Sequence, residues 1–170
     1  VVPFRVRDQR RVTEALRYPV EVAPEIFPLK MIRFAQTSPD GKRVVFTNED
    51  MPQHLHLVQA DGTGYRQLTT GDERNRQGSW SPQGDWIAFQ NNQGESSLAA
   101  IHPDGGARQP IAVGRGFTNP RWSPDGKALL TFNTGIGGMI LDLGAGFGSP
   151  VKQDLPPVSP GALFWPIAWS

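Results

Sequence analysis

The sequence predicts an all-β chain built from repeated four-stranded antiparallel units, and three observations carry that expectation. A Ser-Pro-(Asp/Gln)-Gly turn recurs as Ser38-Pro39-Asp40-Gly41, Ser81-Pro82-Gln83-Gly84 and Ser123-Pro124-Asp125-Gly126, its serines 43 and then 42 residues apart. An apolar run follows each turn: Arg43-Val44-Val45-Phe46, Trp86-Ile87-Ala88-Phe89 and Ala128-Leu129-Leu130-Thr131-Phe132. A second turn then appears in the first two units, as Ala60-Asp61-Gly62-Thr63-Gly64 and Pro103-Asp104-Gly105-Gly106.

The turn residues have separate physical reasons. Proline presets φ for the second position of a type I turn, Asp or Gln accepts a local hydrogen bond at the third, and glycine takes the left-handed conformation that reverses the chain into a hairpin. The flanking segments alternate and are rich in Val, Ile, Phe and Trp, as half-buried strands should be. The first unit is expected to place strands near 31–37, 42–48, 53–59 and 64–69. The second places them near 76–80, 85–91, 95–101 and 107–112, and the third near 117–122, 127–133, 137–143 and 149–155. Four strands in a period of roughly 40–45 residues is the signature of a β-propeller blade. The units then span 31–75, 76–116 and 117–164, behind an N-terminal arm at 1–30, with a further blade starting at 165–170 where Trp169-Ser170 repeats Trp80-Ser81 and Trp122-Ser123.

Three blades alone leave two apolar faces uncovered, because a blade buries its faces only against neighbours. Three arrangements cover them. The chain is part of a longer propeller, it pairs with another chain, or its own ends build a fourth blade. For the last, Trp165-Pro166-Ile167-Ala168-Trp169 reads as an innermost strand, while 3–7 and 18–22 read as strands flanking a short helix over 8–17 capped by Asp8.

Composition bounds the chemistry. Hydrophobic residues at 38% and charged residues at 19% fit a globular chain rather than a disordered one. A net charge of +1 gives no global field for nucleic acid, although Arg5, Arg7, Arg10, Arg11 and Arg17 make the first segment locally basic. Cysteine is absent, which excludes disulfides, thiolate metal centres, iron–sulfur clusters and covalent haem. No stretch approaches the roughly 20 apolar residues of a spanning helix. Val1 opens the chain without methionine or a signal-like segment, which reads as a processed or trimmed start.

No residue pattern here announces catalysis. His54-Leu55-His56 has the H-x-H spacing that puts two rings on one face of a strand, but zinc needs at least three placed ligands. A strand with Leu55 and Leu57 buried and both histidines outward explains the pair as well. His102 is expected at the matching end of the next unit's third strand. Asp40, Asp61, Asp104 and Asp125 sit where turns select aspartate, and their spacing matches no calcium loop. Asn48-Glu49-Asp50 reads as a polar loop available to a partner. The glycines at 135, 137, 138, 144, 146 and 148 lack the strand–turn–helix setting of a phosphate loop and relax a degenerate third unit. A Gly-x-Ser-x-Gly nucleophile elbow is absent. No cofactor is therefore expected. Trp80 and Trp122 recur with the period and are expected to pack between blades, whereas Arg5, Arg7, Arg10, Arg11, Trp165 and Trp169 are the residue types that anchor protein interfaces.

The run Trp122-Ser123-Pro124-Asp125-Gly126-Lys127, an apolar strand, an Asp-Gly turn and then Arg66-Gln67-Leu68-Thr69 in the first unit together resemble the TolB-type propeller repeat. The resemblance spans residues 31 to 170. Residues 2–34 are similar to the lead-in before the first blade of propeller-bearing amidohydrolases. The chain departs from the pattern at Thr37 for Trp, at Gln83 for Asp, and in a third unit without a second Asp-Gly turn. The family implies periplasmic or other extracytoplasmic proteins, peptidases of the tricorn and prolyl-oligopeptidase kinds, and amidohydrolase fusions. It leads to the expectation of a non-catalytic protein-binding or scaffolding module, an accessory subunit of a membrane-associated envelope complex that contacts protein and not nucleic acid. The alternative is the propeller portion of a larger hydrolase, amidohydrolase or peptidase, with its catalytic domain elsewhere.

Overall fold

In the computed structural model, the described residues are 32–155, apart from 49, 94, 113, 115 and 136. They form strands β1 (Ile32–Thr37), β2 (Arg43–Asn48), β3 (Leu55–Gln59), β4 (Arg66–Gln67), β5 (Arg74–Trp80), β6 (Ile87–Gln93), β7 (Glu95–Ile101), β8 (Gln109–Ala112), β9 (Phe117–Trp122), β10 (Ala128–Asn133), β11 (Gly137–Asp142) and β12 (Val151–Asp154). They make three four-stranded antiparallel sheets, β1–β4, β5–β8 and β9–β12, each in simple chain order. These are the blades read from the period. The N-terminal arm, its helix, the segment 165–170 and the fourth blade expected from the two ends lie outside the described residues.

The hairpin turns explain the repeat atom by atom. In the first, the Gly41 N–H donates to the Ser38 carbonyl at 2.9 Å, with Gly41 at φ 73°. Ser38 Oγ donates to Asp40 Oδ1 at 2.6 Å and accepts the Arg43 N–H at 2.9 Å. The third turn repeats this set with Ser123, Asp125, Gly126 and Ala128. The second carries Gln83 where the others have aspartate, and its serine turns instead to Asp85, 2.6 Å from Ser81 Oγ. The carboxylate has moved two residues along and the bond is kept. The degenerate third blade also keeps its second turn. Gly146, at φ 89°, donates to the Leu143 carbonyl at 2.7 Å, as Gly62 does to Gln59 and Gly105 to His102. Only the aspartate is lost, with Ala145 in its place.

Alternation along the strands supplies the core. Val45, Leu55 and Leu57 of the first sheet meet Trp80, Ile87, Phe89, Ala99 and Ile101 of the second. The opposite face of the second sheet, Ala88, Leu98, Ala100 and Ile111, packs on Leu129, Met139 and Leu141 of the third. Ile87 and Phe89 are fully buried, each worth about 1.5–3 kcal/mol of transfer from water. Val44, Phe46 and Val58 form a separate buried cluster on the other side of the first sheet.

Several strand limits differ from the sequence reading by one or two residues, as in β3, β6, β8 and β12, and in β4 and β5 the cause is visible. β4 is two residues long because Leu68 and Thr69 leave the ladder: both their N–H groups point to the Leu55 carbonyl, and Thr69 Oγ1 takes the Leu55 N–H at 2.9 Å. β5 starts at Arg74, before the expected 76, because Arg74 and Asn75 pair with Asn92 and Asn91.

Candidate functional site

The first strand of every sheet, β1, β5 and β9, lies at that sheet's edge, and these edges stand side by side. Each contains a bulge and one non-glycine residue in the left-handed region: Phe34 (φ 52°), Gln77 (φ 59°) and Asn119 (φ 52°), each four residues before its turn serine. Such backbone costs roughly 1–3 kcal/mol per residue and persists only when neighbours over-determine it. Those neighbours are visible. Gln36 Oε1 accepts the Trp80 N–H and Gln77 Oε1 accepts the Asn119 N–H, both at 2.9 Å. The Trp80 and Trp122 indoles donate to the Gln36 and Ser79 carbonyls at 3.1 and 3.0 Å. Each blade is thereby tied to the edge strand of the blade before it.

The axial surface these strands make is cationic. β1 contributes Arg33, β5 Arg74 and Arg76, and β9 Arg121, while none of the three strands carries Asp or Glu. Arg33 and Arg74 are exposed, and Arg76 and Arg121 half-buried. Arg76 is held by its Nε, which donates at 2.9 Å to Oε1 of the buried Gln90. Burial lowers the Arg121 guanidinium from its ordinary value. Just before β5, Glu73 is occupied by Arg108 and accepts Asn91 Nδ2 at 2.8 Å, and Asn91 also donates to the buried Asn75. Sequence reasoning missed this surface. Arg33 and Arg76 share one repeat position, five before the turn serine, and aligning the edge strands would have shown it.

On the opposite rim, Asp104 does more than shape a turn. Arg43 Nη1, Arg66 Nη2 and His102 Nδ1 lie 3.6, 3.7 and 3.6 Å from its carboxylate. Arg43 also stacks 5.0 Å over Trp80. Asp40 and Asp125 behave as turn residues. Hydrogen bonds from Ser38 and Ser123, then from the Lys42 and Lys127 N–H groups, hold their carboxyls below the usual carboxylate range.

The histidine pair is buried, which corrects the outward placement read from the strand. His56, 2% exposed, is stacked between Phe46 and Tyr65, with the Tyr65 hydroxyl 2.9 Å from its Nδ1. The reason is that both faces of β3 are covered: Leu55 and Leu57 face the second sheet, and the histidines share the other side with Phe46. Burial, and then the neighbouring His54, lowers the His56 pKa to about 4. His102 follows the end of β7, whereas His54 precedes the start of β3, so the two stand at opposite strand ends and not at matching ones. Among the described residues no three His, Asp or Glu side chains gather as metal ligands. Asn48 closes its own loop rather than offering itself outward: its Oδ1 accepts the His54 N–H at 2.8 Å and its Nδ2 donates to the Asp50 carbonyl at 3.3 Å.

A depression of about 350 Å³ lies against the third sheet, lined by Ser123, Asp125, Lys127, Asp142 and Val151 among others. Its serine is engaged in the turn. Of the sequence-predicted residues, Ser38, Pro39, Asp40, Gly41, Ser81, Pro82, Gly84, Ser123, Pro124, Asp125 and Gly126 all occupy the three equivalent hairpins. Arg5, Arg7, Arg10, Arg11, Trp165 and Trp169 lie outside the described residues. Among the described residues no helix is long and apolar enough to cross a membrane.

No family model matches the chain. It is 28% identical over 131 residues to the uncharacterized peptidase YuxL of Bacillus subtilis, a match covering 71% of this chain and 20% of that protein. It is 33% identical over 102 residues to dipeptidyl-peptidase 5 of Porphyromonas endodontalis, covering 55% and 15%. Among solved structures it is similar to TolB from Acinetobacter baumannii, with a TM-score of 0.56 at 20% identity, covering 74% of this chain and 32% of that one. The chain thus spans a fifth or less of the length of these curated relatives. Its fold is a TolB-like β-propeller fold, and it is a distant homologue of the two peptidases.

Proposed function

We propose that the chain is the propeller portion of a larger peptidase, presenting its axial surface to peptides bound for a catalytic domain outside this sequence. The observation that carries this reading is the match to two peptidases, each several times longer than the matched segment. The site supports it. The described residues offer edge strands that stand side by side and carry an aligned polar surface. In this reading the propeller admits and orients peptide, and the bond-breaking groups stand elsewhere in the polypeptide. The two peptidase matches favour this reading over an accessory-subunit role. An extracytoplasmic location remains part of the proposal.

The test is the intact mass and activity of the native protein. The expected result is a polypeptide well above the 18.7 kDa of this chain that hydrolyses chromogenic dipeptide substrates. A native polypeptide of this chain's own mass, inactive on such substrates, would overturn it.

A further inference from the structure

We propose that the axial surface selects peptides by charge, binding an extended peptide whose carboxylates fall at alternate positions, with Arg74 and Arg76 as its receptors. The inference rests on the peptide-handling reading above and adds the class of peptide.

Arg74 and Arg76 lie two apart in β5, ahead of its bulge, and so share one face. Side chains two apart on a strand repeat at about 6.6–6.8 Å, and an extended peptide presents alternate side chains at that same spacing. Two guanidinium groups in this register therefore meet two acidic side chains of a peptide lying alongside. Arg76 is pre-oriented. Its Nε is committed to Gln90 Oε1 at 2.9 Å, and Gln90 is fixed in turn by donating to Asn92 Oδ1 at 3.2 Å. Its terminal nitrogens remain for a carboxylate, the geometry in which arginine binds two oxygens at once.

The ion pairs among the described residues, Arg43 and Arg66 with Asp104 and Arg108 with Glu73, leave out both Arg74 and Arg76. The nearest carboxylates in sequence are Asp72, which is exposed, and Glu73, which Arg108 already holds. The edge strands themselves contribute positive charge only. A peptide entering along them passes no acidic side chain of these strands that would repel its own.

Fluorescence anisotropy on the full chain tests this with three short labelled peptides. One alternates alanine with glutamate and is amidated at its C-terminus. The second alternates alanine with glutamine and is amidated. The third is the glutamine peptide with a free C-terminal carboxylate. The expected result is that the glutamate peptide binds about tenfold more tightly than the amidated glutamine peptide, the factor that one charge-assisted hydrogen bond supplies. The preference should shrink as salt rises. Arg74→Gln and Arg76→Gln should each reduce the preference several-fold, Arg76→Lys should restore part of it, and Lys42→Gln, an equal loss of charge on a turn, should leave it intact. If only the free-acid peptide gains affinity, the receptor reads a chain terminus and the alternate-position inference is wrong. Equal affinity for the glutamate and glutamine peptides, or equal weakening by Lys42→Gln, also overturns it. The titration reads binding alone, so a preference for glutamate supports the inference whatever the peptidase assay of the native protein returns.

Discussion

His56 is the residue at which a single proton should matter most. Its ring is neutral between Phe46 and Tyr65 because burial depresses its pKa from 6.5 to about 4. The unfolded chain binds that proton more readily than the folded one, so stability is complete above about pH 6.5 and falls as pH drops toward about 4, by about 3 kcal/mol in all. Denaturant titrations at stepped pH should show this loss, and His56→Phe, which keeps the stack, should flatten the curve over that window. The turn carboxylates make a second residue-level case. Asp85→Ala strips Ser81 Oγ of its acceptor and is expected to cost about 1 kcal/mol. Restoring the pattern of the other hairpins with Gln83→Asp in that background should recover most of it, read as a shift of the urea midpoint at constant slope. Gly41→Ala places a side chain at φ 73° with open space around it, so its cost of about 1–3 kcal/mol isolates backbone strain alone.

The edge strands divide what was legible from what was not. The turns and the grouping of strands in fours were readable because glycine, proline and aspartate have few uses other than turning a chain. The bulges were not, because Phe34 and Gln77 carry no mark of the left-handed backbone they adopt; of the three, Asn119 alone is a residue type that favours it. The arginines were hidden for a related reason. Arg33 and Arg76 stand 43 residues apart, and only three sheets standing side by side make one surface of them. The burial of His54 and His56 escaped notice because a two-residue alternation names two faces and cannot say that both are covered. A test belongs at this scale too. Trp122→Phe keeps the ring in place but removes the bond to the Ser79 carbonyl, and should cost about 1–2 kcal/mol, since the carbonyl then loses its partner. Thermal melts of the two proteins would measure it.

At the scale of the whole molecule, the second sheet is the one packed against another described sheet on both of its faces, Ile87 and Phe89 toward the first sheet and Ala88 and Leu98 toward the third. Stability in stacked repeats is a sum of unit terms and nearest-neighbour terms, so the middle unit collects two interfaces. Amide hydrogen exchange should therefore be slowest in β6 and β7 and faster in β12, whose four residues are exposed. Uniform protection across the three sheets would contradict that division.

The indole bonds that tie each blade to the one before it also give the chain a grammar of duplication. Trp80 takes the carbonyl two residues before Ser38, and Trp122 takes the one two residues before Ser81. Excision of residues 38–80 would join Thr37 to Ser81, let β1 serve as the first strand of β6–β8, and put the Gln36 carbonyl where Ser79 had been. Whole periods can be lost or gained in this way with the indole donor still finding a backbone carbonyl, whereas a partial period strands it. Gene copying in units of about 42 residues thus keeps the indole bond at the seam, and what it costs is the bond particular to one pair of blades, such as that of the Asn119 N–H to Gln77.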